Sequence, residues 1–345
     1  MNINRLFLSA ATLATITLLA SCSSRRHTIA QQSSAEAADT LVVMSYNVEN
    51  LFDPADNPEK NDDDFTPEGS YHWTDFRLRK KAAALGQVIL AANGLHTPDV
   101  IGLCEVEGPD STGLSAADLL VRYANLPYTP VCFPTPDHRG IATALLFNPM
   151  TVEPVALTHV SASSDSLDLH TRDILYAKMK TLRGNAIFHI LVNHWPSKYG
   201  GAERTIPLRK YVAQRARHLC DSILSSDPAA RIVLLGDFND VASEPSLTDY
   251  LGAKVHCDTC LLRNLSADTP DFSYKYHGVW STIDHIIVTP GVCVKGRPSF
   301  SVVKFDFMLE PDDRNTGLKP KRTYLGRRYN DGISDHLPVM VKIPY

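Results

Sequence analysis

Residues 231–240 read Arg-Ile-Val-Leu-Leu-Gly-Asp-Phe-Asn-Asp, and the reading of this stretch decides the fold class. Four apolar residues in a row, two of them β-branched, fit a short strand buried on both faces. Gly236 then releases the backbone and sets Asp237 and Asn239 just past the strand end, where ligands gather in α/β sheets. An ordinary strand-to-turn exit uses the same residue types, because Gly, Asp and Asn are favoured in turns. The other strands weigh in, since several end in similar groups.

Upstream, Leu41 to Asn47 reads as a strand ending in a carboxamide and Pro98 to Glu105 as one ending in a carboxylate. Ala186 to Asn193 delivers His194, residues 141–147 form another strand, and 171–179 opens on Arg172. Downstream, residues 281–288 carry Asp284, and Asp335 and His336 precede the closing strand Leu337 to Ile343. A helix is expected from Arg77 to Ala92, with Leu78, Ala82, Leu85 and Ile89 on one face and Arg77, Arg79, Lys80 and Lys81 around its start. Ser115 should cap a second helix reaching Tyr123, with Asp118 three residues on. A third runs from Thr205 to Leu224 and buries Val212, Ala216, Leu219, Cys220 and Ile223. Many strands, few helices and no strict βαβ alternation suit two packed sheets with helices outside.

With 44% hydrophobic and 21% charged residues, the 345-residue chain has an ordinary globular make-up. The expected division is a leader at 1–21, a tether at 22–39 and one domain at 40–345. Arg5 and the apolar run Leu6 to Ala20 make a targeting segment too short and too early to span a membrane. Leu-Ala-Ser-Cys at residues 19–22 resembles a bacterial lipoprotein box. It implies a lipidated Cys22, a membrane contact through that anchor, and residence at a Gram-negative-type cell envelope, periplasmic or surface-exposed. A plain secretory signal is the alternative. The formal net charge of −4 gives no bulk sign of a nucleic-acid binder.

Cys257 and Cys260 have CxxC spacing, but no second Cys or His pair completes a zinc site, and a local disulfide or no role at all is expected. The acids between Asp53 and Glu68 lack EF-hand spacing and read as a solvated loop rather than a calcium site. A monomer is expected.

Strand ends or starts thus carry Asn47, Glu105, Arg172, His194, Asp237, Asn239, Asp284, Asp335 and His336. Carboxylates beside a carboxamide bind a hard cation such as Mg²⁺ or Mn²⁺. Two histidines and an arginine beside it suit an anionic substrate that gains charge in the transition state. Each residue also has a bland reading: Asn47 as a turn cap, Asp284 as a buried acceptor, Arg172 paired with a surface acid. His277 and His285 read as bland outright.

The chain resembles the endonuclease/exonuclease/phosphatase superfamily, the DNase I-like metal-dependent phosphoesterases. The likeness rests on Tyr46-Asn47-Val48-Glu49, Cys104-Glu105-Val106, Asn193-His194-Trp195, Gly236-Asp237-Phe238-Asn239, Ile283-Asp284-His285 and Ser334-Asp335-His336-Leu337-Pro338, in the family's order. It implies a four-layer αββα sandwich of two packed, mostly antiparallel sheets. It further implies that Glu105 ligates the metal with support from Asn47 and Asp335, and that Asp237 and Asn239 orient the attacking water. By the same resemblance, His194 donates to the phosphate, His336 works beside it held by Asp284, and Arg172 contacts phosphate.

The motifs do not separate nucleic acid from inositol phosphates, phosphoinositides or other small phosphoesters. Arg314, Lys319, Lys321, Arg322, Arg327 and Arg328 crowd the loop before Asp335, and Lys198, Arg204, Arg209, Lys210, Arg215 and Arg217 follow His194. Basic residues so concentrated favour a polyanion, so a nuclease for DNA or RNA is the first expectation, with Lys198, Arg322, Arg327 and Arg328 as substrate contacts. Solubilising surface charge is the bland alternative. Tyr324, Tyr329 and Trp280 are candidates for base stacking, and packing is their alternative. A phosphatase or phosphodiesterase for small esters comes second, and a non-catalytic binding protein third.

Overall fold

The computed structural model describes residues 40–255 and 260–345. In chain order its strands are β1 (Thr40–Leu51), β2 (Val100–Glu107), β3 (Thr129–Cys132), β4 (Ile141–Phe147), β5 (Val152–Val160), β6 (Ile174–Thr181) and β7 (Ile187–His194). Then follow β8 (Ile232–Asp237), β9 (Ala253–Lys254), β10 (Leu262–Asn264), β11 (Tyr274–Tyr276), β12 (Val279–Ser281) and β13 (Asp284–Val288). The last are β14 (Ser299–Val302), β15 (Leu309–Pro311), β16 (Leu318–Pro320), β17 (Tyr324–Leu325), β18 (Arg328–Tyr329) and β19 (Val339–Pro344). The α-helices are α1 (Asp75–Ala91), α2 (Ala116–Tyr123) and α3 (Ala202–Ser226).

One sheet has the order β14-β19-β1-β2-β4-β3 and the other β5-β6-β7-β8-β13-β10-β9; β11–β12, β15–β16 and β17–β18 are separate hairpins. Strand alternation distributes the apolar residues into three cores. Leu41, Val43, Val192, Val233, Leu235, Ile286 and Val341 meet between the sheets. Val42, Met44, Tyr46 and Ile101 point the other way, against Leu78, Leu85 and Ile89 of α1 and Leu120 of α2. On the far side Leu191, Ile232, Leu234 and Ile287 pack on Val212, Ala216 and Cys220 of α3. Three apolar interfaces make four layers, helices–sheet–sheet–helix, so the αββα sandwich is the architecture. Each such Leu or Ile contributes about 1.5–3 kcal/mol by leaving water.

Most ladders are antiparallel, yet each sheet holds a parallel pair that the sequence pattern did not reveal. β1 pairs with β2 across α1, and β7 with β8 across α3. These two βαβ crossovers are separated by antiparallel strands, which masks their alternation in the sequence.

Helix α1 starts at Asp75, capped by Thr74, whose side chain accepts from Arg77 N. Lys81, expected at its polar start, is buried instead, at 2% exposure. It lies three residues after Leu78 and four before Leu85, on the inward stripe. Ser115 does begin α2, with the Asp118 carboxylate accepting from its backbone N and Oγ. The acidic segment is only partly solvated. Asp62 is buried, Lys60 pairs with the buried Glu107 at 3.2 Å, and Phe65 stacks between Phe52 and Tyr71. Cys22, the leader, the tether and Cys257 lie outside the described residues.

Candidate active site

Parallel strands leave their C-terminal ends side by side, and that is how the site is assembled. Asn47 and Glu105 come from β1 and β2, His194 and Asp237 from β7 and β8, and His194 faces Asp237 directly in register. Both strands of the first pair bulge at the site, β1 between Asn47 and Leu51 and β2 between Cys104 and Val106. Glu49, Asn50, Glu105 and Asn239 hold left-handed backbone, with φ between 49° and 62°. Non-glycine residues in that region cost of order 1–3 kcal/mol each and cluster where side chains must be re-aimed. Here the bulge turns the Glu105 carboxylate back toward β1, where Oε1 accepts from Asn47 Nδ2 at 3.1 Å and Oε2 from Asn50 N at 2.9 Å.

Asp237 is the hub. Its Oδ1 accepts from Asn239 N at 2.9 Å and its Oδ2 from Asn47 Nδ2 at 3.0 Å. The Nε2 atoms of His194 and His336 lie 3.9 and 3.8 Å from the same Oδ2. Burial pushes the Asp237 carboxyl up to about 7, with nearby Asp284 adding to it against the pull of His336. Gly236 makes the approach possible. At φ +140° a Cβ there would sit 1.8 Å from the Asn193 carbonyl oxygen.

The two histidines differ in charge. His194 is held well below the usual imidazole range by burial and by the Arg172 guanidinium, so it is neutral. His336 is held well above it: burial opposes its charge but is outweighed by Asp284, Asp335 and Asp237. Asp284 Oδ2 accepts from His336 Nδ1 at 2.8 Å and from Ser273 Oγ at 2.6 Å, fixing the ring so that Nε2 faces Asp237. Tyr274 covers the His336 ring at 4.6 Å between centroids. Arg172 is buried and donates to Asp137 and to the Trp195 carbonyl, which also accepts from Asn239 Nδ2. Its partner Asp137 is a buried acid, not a surface one.

All nine residues singled out at strand ends or starts therefore belong to one region. His285 faces away, onto the Asp240 carbonyl and Asn264. Buried polar atoms without a partner gather at the site too: Arg172 Nε, His194 Nδ1, Asp284 Oδ1 and Asp335 Oδ1. Such atoms are rare in protein interiors, and a catalytic role or a bound water or ion is among the usual reasons for them.

Reading the sequence missed a second group. Glu49, two residues after Asn47, is buried, with its carboxyl pushed up to about 7 by burial and by Asp335. Arg322 spans Glu49 and Asp335. Lys81 donates to the Glu49 carbonyl and, at 2.5 Å, to Thr323 Oγ1, while Thr323 N donates to Glu49 Oε2. Glu49 stood inside a quoted motif, which was its one signal. Lys81 had none, because its partners are 32 and 242 residues away in sequence; Arg322, expected to contact substrate, is instead taken up by Glu49 and Asp335.

Among the described residues, Asp237, Asp284 and His336 bring potential ligand atoms within 4.8 Å of one another. His336 Nδ1 is committed to Asp284, so this trio is a hydrogen-bonded pair beside a carboxylate. Glu105 and Asp335 instead offer oxygen donors suited to a hard cation, and Asp335 Oδ1 has no hydrogen-bond partner among the described residues; Asn47 turns its Nδ2 toward Glu105 while its Oδ1 accepts from Glu49 N.

The basic residues divide. Lys198 is taken up by Asp240 at 3.1 Å and lies 4.0 Å from Glu244. Arg209 is buried against Asp240, Arg217 pairs with Asp221, and Lys319 lies 3.5 Å from Glu310. Arg327 is exposed at the β17–β18 turn. The expected stacking aromatics are packed or occupied. Tyr324 is buried against Tyr71 and Trp73, Tyr329 lies under Arg77, and Trp280 lies beside Lys275.

The sequence profile of the Endonuclease/Exonuclease/phosphatase family matches residues 42–344. The chain belongs to that family. Members of it are metal-dependent phosphoesterases, so the chain is a hydrolase of ester bonds to phosphate. Solved structures share the fold. An endonuclease/exonuclease/phosphatase family protein from Bacteroides thetaiotaomicron has TM-score 0.53 and 15% identity over 88% of this chain and 97% of that one. Humanized D. rerio TDP2 has TM-score 0.54 and 15% identity over 89% and 99%. The B. thetaiotaomicron mannosyl-6-phosphatase has TM-score 0.55 and 15% identity over 88% and 100%. Among curated protein sequences none matches this chain.

Proposed function

We propose that this family member is a divalent-metal-dependent phosphodiesterase acting on nucleic acid. The observation that carries the catalytic part is the convergence on Asp237 Oδ2 of Asn47 Nδ2 at 3.0 Å and the two histidine Nε2 atoms at 3.8 and 3.9 Å. Glu105 and Asp335, with Asn47 beside them, would hold Mg²⁺ or Mn²⁺, which would supply charge neutralisation to the phosphate and acidify nearby water.

The chain's own groups supply the rest. Asp237, buried and titrating near neutrality, takes the proton of the attacking water, and Asn239, whose backbone N holds Asp237 Oδ1, orients that water. Neutral His194 donates to a phosphoryl oxygen. His336, kept cationic and aimed by Asp284, and the Arg172 guanidinium complement the charge that builds in the transition state.

Nucleic acid is the first reading because Arg314, Lys321, Arg327 and Arg328 stand near Asp335 in sequence with no acid from residue 314 to 328. A small phosphoester, such as a sugar or inositol phosphate, is the second. It is favoured by the ion pairs that occupy Lys198, Arg209, Arg217 and Lys319, and by the mannosyl-6-phosphatase among the structural neighbours. A binding protein without catalysis has no use for the Asp237–Asn239 pair. Lipidation of Cys22 would tether the enzyme at an envelope surface facing incoming polymers.

Digestion of plasmid DNA, single-stranded DNA, RNA and an inositol polyphosphate, each with Mg²⁺, Mn²⁺ or EDTA, tests the reading. Metal-dependent cleavage of nucleic acid, lost in His194→Ala, is the expected result. Phosphate release from the inositol compound with nucleic acid left intact would overturn it in favour of the second reading.

A further inference from the structure

A cavity of about 900 Å³ opens beside the site, with Glu49, Asp335 and Arg322 at its inner end. Its outer walls are three hairpin turns: β11–β12 with Tyr276 and His277, β15–β16 with Arg314, and β17–β18 with Arg328. Ligand sites commonly measure about 300–1,000 Å³. The volume falls within that range.

The walls are held in place. Lys275 Nζ, on β11, donates to the carbonyls of Thr316 and Leu318 at 2.9 and 3.1 Å and pairs with Asp312 at 3.0 Å. The β11–β12 turn also sits close on the β15–β16 turn, where a Cβ at Gly278 would meet Asn315 at 2.8 Å. Two of the three hairpins therefore form one unit, and the cavity does not need a ligand to order it.

Charge inside is not balanced locally. Arg322 is shared by Glu49 and Asp335, and Asp312 is matched by Lys275. Among the described residues, Arg314 and Arg328 have no side-chain ion-pair or hydrogen-bond partner and face the single carboxylate of Asp313. The Tyr276 ring is 60% exposed, with its edge-to-face partner His277 beside it. Two free guanidiniums and an open aromatic face in one cavity ask for a ligand that carries both a phosphate and a flat ring.

We propose that this cavity seats the nucleotide next to the scissile phosphate of an unpaired nucleic acid strand, its base on Tyr276 and its phosphate between Arg314 and Arg328. The inference rests on the nucleic-acid reading above and sharpens it to single strands or strand ends. A base in a duplex is stacked on its neighbours and must be extruded, at a few kcal/mol, before it can lie on Tyr276. An unpaired base needs no extrusion.

The test compares a single-stranded oligonucleotide, the same sequence as a blunt duplex, and bis(p-nitrophenyl) phosphate, which has no neighbouring nucleotide. Wild type is expected to prefer the single strand to the duplex. In the Arg314→Gln/Arg328→Gln double variant the ratio of kcat/KM for the oligonucleotide to that for the small ester should fall about tenfold, through KM, at roughly 1 kcal/mol or less per exposed contact. The slope of log affinity against log salt should fall by about 0.7, since the two arginines share one phosphate and each phosphate neutralised on a single strand contributes about 0.7. Tyr276→Ala should lower the same ratio without changing the slope.

A duplex cleaved as fast as the single strand, or a double variant with the wild-type ratio and slope, overturns the inference and leaves the nuclease reading standing. Equal loss on both substrates also overturns it, because the arginines then act on the reaction centre or the fold. Cleavage of the small ester with no cleavage of any nucleic acid removes the nuclease reading and this inference together.

Discussion

Lys81 is a charge the fold carries at a measurable cost. It is 2% exposed, its ammonium donates to the Glu49 carbonyl and Thr323 Oγ1, and burial draws its pKa down from 10.5 to about 8. The folded state thus binds this proton less tightly than the unfolded chain does. Between pH 8 and 10.5 the unfolded state carries more protons, so stability must rise with pH across that window. The gap between 10.5 and about 8, at about 1.36 kcal/mol per unit, makes the ionised lysine a burden of about 3 kcal/mol at neutral pH. Most of it, about 2–3 kcal/mol, should be recovered between pH 7 and pH 10. Lys81→Met keeps the stem and removes the ammonium. Urea unfolding of both proteins at pH 7, 8.5 and 10 measures the difference, in which the other alkaline groups cancel. The stability of wild type relative to Lys81→Met should climb by about 2–3 kcal/mol over that range. A difference that is flat or shrinks with pH would refute the assignment of Lys81 as a buried, charged lysine.

Two further outcomes are expected. Asp284→Asn removes the charge that orients His336, and by analogy with other carboxylate–histidine pairs it should lower kcat by about 10²–10⁴ while KM moves little; steady-state kinetics on bis(p-nitrophenyl) phosphate would contradict this with a near-wild-type kcat. Gly236→Ala forces a Cβ to 1.8 Å from the Asn193 carbonyl oxygen, so β7 and β8 must part; a loss of at least about 3 kcal/mol is expected, and a thermal melt within a degree of wild type would show that the β8 exit does not have the conformation described.

The sequence by itself determined the main strands and helices and the polar groups that end the strands. Apolar runs such as Ile232 to Leu235 mark strands because alternation and burial are written into adjacent residues, and the polar residue closing each run is visible in the same window. That is why Asn47, Glu105, His194, Asp237, Asp284 and His336 were legible as one set before any coordinates. The three helices were legible for the same local reason, within a few residues at their ends.

Only the tertiary structure decided which polar groups meet. Thr323 N reaches Glu49 and Lys81 reaches Thr323, pairs 274 and 242 residues apart, because sheet packing brings the chain's end against its beginning. The same packing divided the basic residues, placing Lys198 and Arg209 on Asp240 while leaving Arg314 and Arg328 unpaired on the cavity wall. A lysine or arginine looks alike in sequence whether it is neutralised or free. Its partner is chosen by distance in space, and no local pattern of residues encodes that.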